Sequence, residues 1–317
     1  MIIEAAVAAI LALGATEWRN GGDYVHHFSV DGSPFVSTVT RRLGAVNGVL
    51  YDANGHPRDL DGAAPHAPQC ASVEPPAALP ADPVTAAARR RTVAPERAVI
   101  DVMELYTFAA ENGAGGRAQI EVKIAAAVDL LNATLQQSQV NNVSFRLVYV
   151  GRIDREETLS QMQFLTWLSN DAGVARLREE HGADLVGLWT EADAEIAWAP
   201  RSFARSTGFH VICRRYPLSL QLFSHEVAHN LGAQHNVEQT GPVANDPYPF
   251  ARGIRTANWM TVMSYPPAGE WREVLPVFSN PELSHDGVAL GVAGQADNAR
   301  MIRLAGPVVA EYYPSAD

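Results

Sequence analysis

His225-Glu226-Val227-Ala228-His229-Asn230-Leu231-Gly232-Ala233-Gln234-His235 is the stretch from which the fold and the chemistry are read. His225 and His229 stand four residues apart, so on a helix they share one face, one turn above the other. Two neutral imidazoles so placed can grip a Zn2+ ion. Glu226 is the next residue round the helix. Its carboxylate can lean over a water at that ion without ligating the ion, as a general base must. Gly232 permits a left-handed turn off the helix axis. That turn can swing His235 back as a third ligand, leaving a fourth position open, the arrangement of a catalytic zinc. Three histidines without a carboxylate ligand favour zinc over iron or manganese. The plain alternative is a buried helix whose histidines only hydrogen-bond. It is costly, because three imidazoles and a carboxylate would be buried with no cation to pair them.

Working outward, Leu218, Leu220, Leu222, Phe223, Val227, Ala228 and Leu231 supply apolar helical faces around these polar groups. Downstream, Thr261-Val262-Met263-Ser264-Tyr265 places a methionine in a short apolar stretch, and Pro266, Pro267 and Gly269 mark a turn after it. Upstream, strands are expected at 98–106, 143–153, 184–190, 195–199 and 208–213, and helices at 118–139 and 159–181. Strands alternating with long helices predict an α/β domain on a mostly parallel twisted sheet. Residues 236–293 are rich in Gly, Pro and Asn and read as irregular, and 297–312 as a closing helix interrupted or started late near Pro307.

The eleven-residue run and the methionine turn together resemble the metzincin zinc endopeptidases, with likeness to the reprolysin-like branch and the bacterial peptidyl-Asp metallopeptidases over about 97–313. The resemblance implies a zincin-like catalytic domain, with an upper subdomain before the third histidine and a smaller lower one after it. It implies peptide hydrolysis with His225, His229 and His235 holding one Zn2+, Glu226 as general base, and Met263 as a hydrophobic floor that does not ligate. Tyr265 then matches either an oxyanion donor or a wall of the specificity pocket. Ile196, Ala197 and Trp198 match the sheet edge on which an extended peptide could pair, unless Trp198 is simply core. A preference for an acidic residue at the cleaved bond would follow the peptidyl-Asp likeness, with Arg214, Arg252 or Arg255 as its cation. Two departures stand out: Asn236 follows the third histidine where reprolysin-like enzymes place Asp, and the many cysteines of the animal domains are absent.

With 24 Lys and Arg against 35 Asp and Glu, the net charge of −11 excludes an electrostatic grip on nucleic acid. No apolar run is long enough to span a membrane. Calcium could stabilise the turn-rich half, but no acidic loop of suitable spacing is present. The oligomeric state is not legible.

The expected organisation is a signal segment or N-terminal helix over 1–15, a β-rich prosegment with a Pro/Ala-rich linker over 16–91, and the metallopeptidase domain over 92–317. The first fifteen residues are apolar but lack a basic start, which is atypical for export. In 16–70, Asp31-Gly32, Asn47-Gly48 and Asn54-Gly55 mark turns between strands. Arg89-Arg90-Arg91 is either a processing site or a solvated patch. Cys70, after Pro68-Gln69, has three readings: a latency ligand to the zinc, a disulfide partner of Cys213, or a plain thiol. A secreted zymogen acting on proteins or peptides is the function expected. A catalytically silent peptide-binding module and a hydrolase of non-peptide substrates are the rivals.

Overall fold

Pairing and packing follow the expected periodicities most closely between residues 98 and 213. The computed structural model describes residues 97–192, 194–215, 219–242, 246–268, 270 and 272–313, with 219–220 as backbone only, and the strand backbones at 16–20, 23–30, 33–42, 45–51, 57–58 and 71–73. The chain divides into two units, Met1–Pro68 with Arg215–Ser219, and Gln69–Arg214 with Leu220–Asp317. The first is an antiparallel meander in chain order: β1 (Thr16–Asn20), β2 (Asp23–Val30), β3 (Ser33–Arg42), β4 (Ala45–Tyr51) and β5 (Pro57–Arg58). Asn47-Gly48 is not a turn. It runs through β4, pairing with Thr40 and Val39, and the reversal falls between Arg42 and Ala45. A continuous ladder satisfies backbone groups that a turn at Asn47 would strip from β3, and a glycine inside a strand costs little by comparison.

The second unit is built on a six-stranded sheet in the order β6-β10-β11-β9-β7-β8. Its strands are β6 (Ala71–Val73), β7 (Ala98–Tyr106), β8 (Val143–Arg152), β9 (Leu185–Thr190), β10 (Ile196–Trp198) and β11 (Phe209–Cys213). Every pairing is parallel except β10 with β11. Helices α1 (Phe108–Gly113) and α2 (Arg117–Gln137) join β7 to β8, and α3 (Gln161–Asn170) and α4 (Ala172–His181) join β8 to β9.

The single helix expected over 159–181 is two. Asp171 is extended and its carboxylate accepts the N–H groups of Gly173 and Val174 at 2.8 and 3.0 Å. That side chain ends α3 by starting α4.

Alternation along the strands sends Met103, Leu105, Val186, Leu188 and Val211 to one face, where they pack on Phe164, Leu165 and Leu168 of α3. The opposite face carries Glu104, Trp189 and His210. Against it lies α5 (Ser219–Asn230), with the Phe223 ring 6.0 Å from Trp189 and 5.6 Å from His210. Past α6 (Val237–Thr240) the chain is mostly loop. It holds a parallel pair, β12 (Trp259–Thr261) with β13 (Glu273–Leu275), and a hairpin, β14 (Asn280–His285) with β15 (Val288–Leu290). Trp259, Leu275, Val277 and Leu290 form its own small core.

The closing helix α7 (Asn298–Val309) contains Pro307 without interruption. Proline cannot donate to the carbonyl four residues back. That carbonyl, of Arg303, accepts instead from the Asn142 amide at 3.0 Å. Among the described residues no helix is long and apolar enough to cross a membrane.

Candidate metal centre

Gly232 closes α5. Its φ is +80°, its N–H donates to the His229 carbonyl at 2.8 Å, and the Ala233 N–H reaches back to Ala228 at 3.0 Å, a left-handed helix stop. A Cβ here would lie 3.1 Å from both Met301 Cε and Phe203 Cζ. The chain then returns His235 to the helix. The three imidazole centroids are 4.7 to 5.0 Å apart, and the three Nε2 atoms form a triangle with sides of 2.9 to 3.1 Å.

This triangle tests whether a metal fits. His225 Nδ1 lies 2.7 Å from the Val262 carbonyl oxygen and His229 Nδ1 lies 2.8 Å from that of Ala233. A carbonyl only accepts, so both Nδ1 atoms carry hydrogen and both Nε2 atoms present lone pairs. Burial keeps the rings neutral. It pushes His225 down to about 4 and His229 and His235 well below the usual histidine range, with the neighbouring imidazoles lowering the last two further. At most one hydrogen, from His235, is therefore available among three converging nitrogens. Their lone pairs repel unless a cation sits between them, and three neutral imidazole nitrogens are a good zinc donor set.

Residues around the triangle lock it in place. Glu226 is fully buried beside His225 on the same helix, and Met263 is fully buried in its own turn. The Met263 turn is tied to His225 through the Val262 carbonyl. Tyr265 presents its ring edge-on to His235 at 4.8 Å and to His225 at 5.6 Å. Asn236, the departure from the reprolysin pattern, accepts the Tyr265 N–H through Oδ1 at 2.9 Å and donates through Nδ2 to Glu238 at 2.7 Å. An amide at this position thus joins the residue after His235 to the methionine turn.

Sequence reasoning missed the network behind α5. Asn230 Nδ2 donates to the carbonyls of Trp198 and Phe209, both at 2.9 Å, and is 3.3 Å from that of Thr207. This fixes Oδ1 as the acceptor that faces His210 Nδ1 at 3.0 Å. His210 Nε2 meets Glu104 Oε1 at 3.1 Å, and Glu104 Oε2 accepts from Trp189 Nε1 at 2.9 Å. All four residues are buried. The only signal was a polar residue beside the second ligand, with a histidine and a glutamate inside otherwise apolar strands.

The remaining candidates separate. Ile196–Trp198 is not outermost in this chain. Ala71–Val73 pairs with it in parallel, Ile196 beside Ala71 and Trp198 beside Val73. The Trp198 indole is in the core and donates to Ser169 Oγ at 2.9 Å, and its carbonyl accepts from Asn230. Arg214 pairs with Glu191 through two contacts of 2.6 Å, Arg252 is buried against Asp246 and Thr240, and Arg255 donates to the Tyr265 carbonyl at 2.9 Å. Cys213 is buried in β11 with Sγ 4.0 Å from the Glu191 carbonyl. Residues 1–15, Cys70 and Arg89–Arg91 lie outside the described residues.

A helix-borne histidine pair and a third histidine after a glycine turn converge beside a mostly parallel sheet, an arrangement compatible with a metal site. The chain belongs to the metallopeptidase family M12, whose model matches residues 97–299. A peptidyl-Asp metalloendopeptidase of Pseudomonas aeruginosa is 31% identical over 230 residues, covering 64% of this chain and 38% of that protein. One of Stenotrophomonas maltophilia is 27% identical over 220 residues, covering 65% and 50%. The chain therefore spans half or less of the length of these relatives. A solved chain described as the structure of a chaperone-substrate complex shares the fold at a TM-score of 0.56 and 19% identity, over 69% of this chain and 35% of that one.

Proposed function

We propose that this chain is a zinc endopeptidase of the metzincin type that cuts beside acidic residues and is made in a latent form. The observation that carries the first part is the triangle of neutral imidazoles with converging lone pairs. When bound there, zinc supplies Lewis acidity and lowers the pKa of a water. Glu226, rigid on α5, takes that water's proton and returns it to the leaving amine. The Tyr265 hydroxyl donates to the oxygen of the scissile carbonyl as charge builds on it. Burial of the carboxylate and imidazoles excludes bulk water and strengthens these interactions.

The names of the relatives support the acidic preference. For latency, the support is the parallel strand Ala71–Val73, which takes up the backbone groups of Ile196–Trp198 that an extended substrate would use. Residues 16–91 are then a prosegment, removed by cleavage near Arg91, with Cys70 next to the occluding strand as zinc ligand until that cut. Export from the cell is part of the same reading. The test is casein digestion by the full chain, before and after a limited tryptic cut at the arginine triplet, with and without a chelator. Chelator-sensitive cleavage that rises after the cut is expected. Equal, chelator-insensitive rates would overturn the proposal, and bound zinc without any cleavage would indicate a peptide-binding module.

A further inference from the structure

Two of the three candidate arginines already hold a carboxylate. Arg201 and Arg252 share the buried carboxylate of Asp246 at 3.1 and 3.2 Å, and Arg214 is paired with Glu191. Arg255 differs. It is half-buried, and among the described residues no carboxylate pairs with it. Its one hydrogen bond runs from Nη1 to the Tyr265 carbonyl at 2.9 Å, which leaves guanidinium donors for a further acceptor.

Its place is fixed by the backbone on both sides. Gly253 donates to the Gln234 carbonyl at 3.0 Å, next to the third ligand. Ile254 and Thr261 exchange contacts of 3.0 and 3.1 Å, and Arg255 bridges to Met260. A Cβ on Gly253 would meet the Met263 backbone at 2.9 Å, so this segment lies directly against the methionine turn. Through Tyr265, whose ring covers His225 and His235, Arg255 is one residue removed from the zinc ligands.

We propose that Arg255 determines specificity, receiving the carboxylate side chain of a substrate residue next to the scissile bond. The inference rests on the endopeptidase reading above and assigns its acid preference to one residue. A net charge of −11 repels acidic peptides in general, so selecting one needs a local cation with donors to spare. A planar guanidinium braced by a carbonyl is pre-set for a two-point carboxylate contact, and partial burial limits competition from water.

The test uses the full chain, nicked as above, and three peptides identical except for Asp, Asn or Lys beside the cleaved bond. The wild type should favour Asp over Asn by about tenfold or more in kcat/KM, the value of one charged hydrogen-bonded contact. In Arg255→Gln that ratio should fall to near one, Arg255→Lys should restore part of it, and Arg255→Glu should favour the Lys peptide. A purely structural role would lower all three rates together and keep the ratio. An unchanged ratio in Arg255→Gln overturns the proposal. If the zinc-loaded wild type cuts none of the peptides, the endopeptidase reading fails. Arg255 is then judged by binding of labelled Asp and Asn peptides, and equal affinities overturn it.

Discussion

Glu104 occupies the space that a side chain on Gly187 would need. A Cβ at Gly187 would run into Glu104 Oε2 and, on its other side, His210 Nε2. The glycine therefore lets a buried carboxylate and imidazole meet across three adjacent strands and reach Asn230 on the metal helix. His210 Nδ1 donates to Asn230 Oδ1 at 3.0 Å, and Nε2 lies 3.1 Å from Glu104 Oε1. Gly187→Ala should force the pair apart and destabilise the chain by about 2–4 kcal/mol, the range of overpacking plus a broken buried contact. Urea unfolding measures it, and a loss under about 0.5 kcal/mol, as for an ordinary surface change, would contradict the packing described.

Asn230→Ala should cost about 2–3 kcal/mol, since it removes the donor to two strand carbonyls and the acceptor facing His210 at once. Because Asn230 is flanked by His229 and Leu231, zinc affinity should fall with stability. Competition with a chromogenic chelator reads it. Unchanged affinity would mean that the network supports the sheet but not the metal helix.

Gly232→Ala should destabilise by about 1–3 kcal/mol, combining a positive φ with contacts to Met301 and Phe203. It should also weaken zinc binding, because the turn it strains is the one that returns His235. A variant as stable as the parent and with the same affinity would show that the turn is not what positions the third ligand.

Tyr265→Phe keeps the ring against His225 and His235 and removes the hydroxyl. Loss of one oxyanion donor should lower kcat by about a hundredfold with little change in KM. Unchanged turnover would make Tyr265 a wall residue.

Asp184 gives a pH dependence away from the site. Burial pushes its carboxyl up to about 7, although the N–H groups of Asp101 and Tyr313 donate to it at 2.8 and 2.9 Å. A folded-state pKa above the unfolded one contributes stability fully present below about pH 4 and lost as pH rises through about 7. The stability of the wild type relative to Asp184→Asn should therefore decline between pH 5 and pH 7 and level off above. Thermal unfolding of both proteins across that range checks it, and a difference that grows with pH would contradict the assigned direction.

The convergence of His225, His229 and His235 was legible because four-residue helical spacing, a glycine and a third histidine specify their own geometry. The parallel sheet was legible because strands buried on both faces read as apolar runs, as in Leu185–Thr190. The break at Asp171 was there to be seen in Asp171-Ala172-Gly173, but apolar periodicity continues across it and hides the cap. Asn230, His210 and Glu104 were not legible, since their partners lie 20 and 106 residues apart in the chain. Nor could sequence choose among Arg214, Arg252 and Arg255, because what separates them is whether a carboxylate already pairs with each one.

The central claim is that Glu226 is the base beside a zinc held by three histidines. Zinc content and hydrolysis of a quenched peptide, measured together on the wild type and Glu226→Gln, test it most directly. One zinc per chain is predicted in both proteins, with cleavage reduced by about a hundredfold to ten-thousandfold in the variant. A zinc-loaded Glu226→Gln that cuts as fast as the wild type would contradict it.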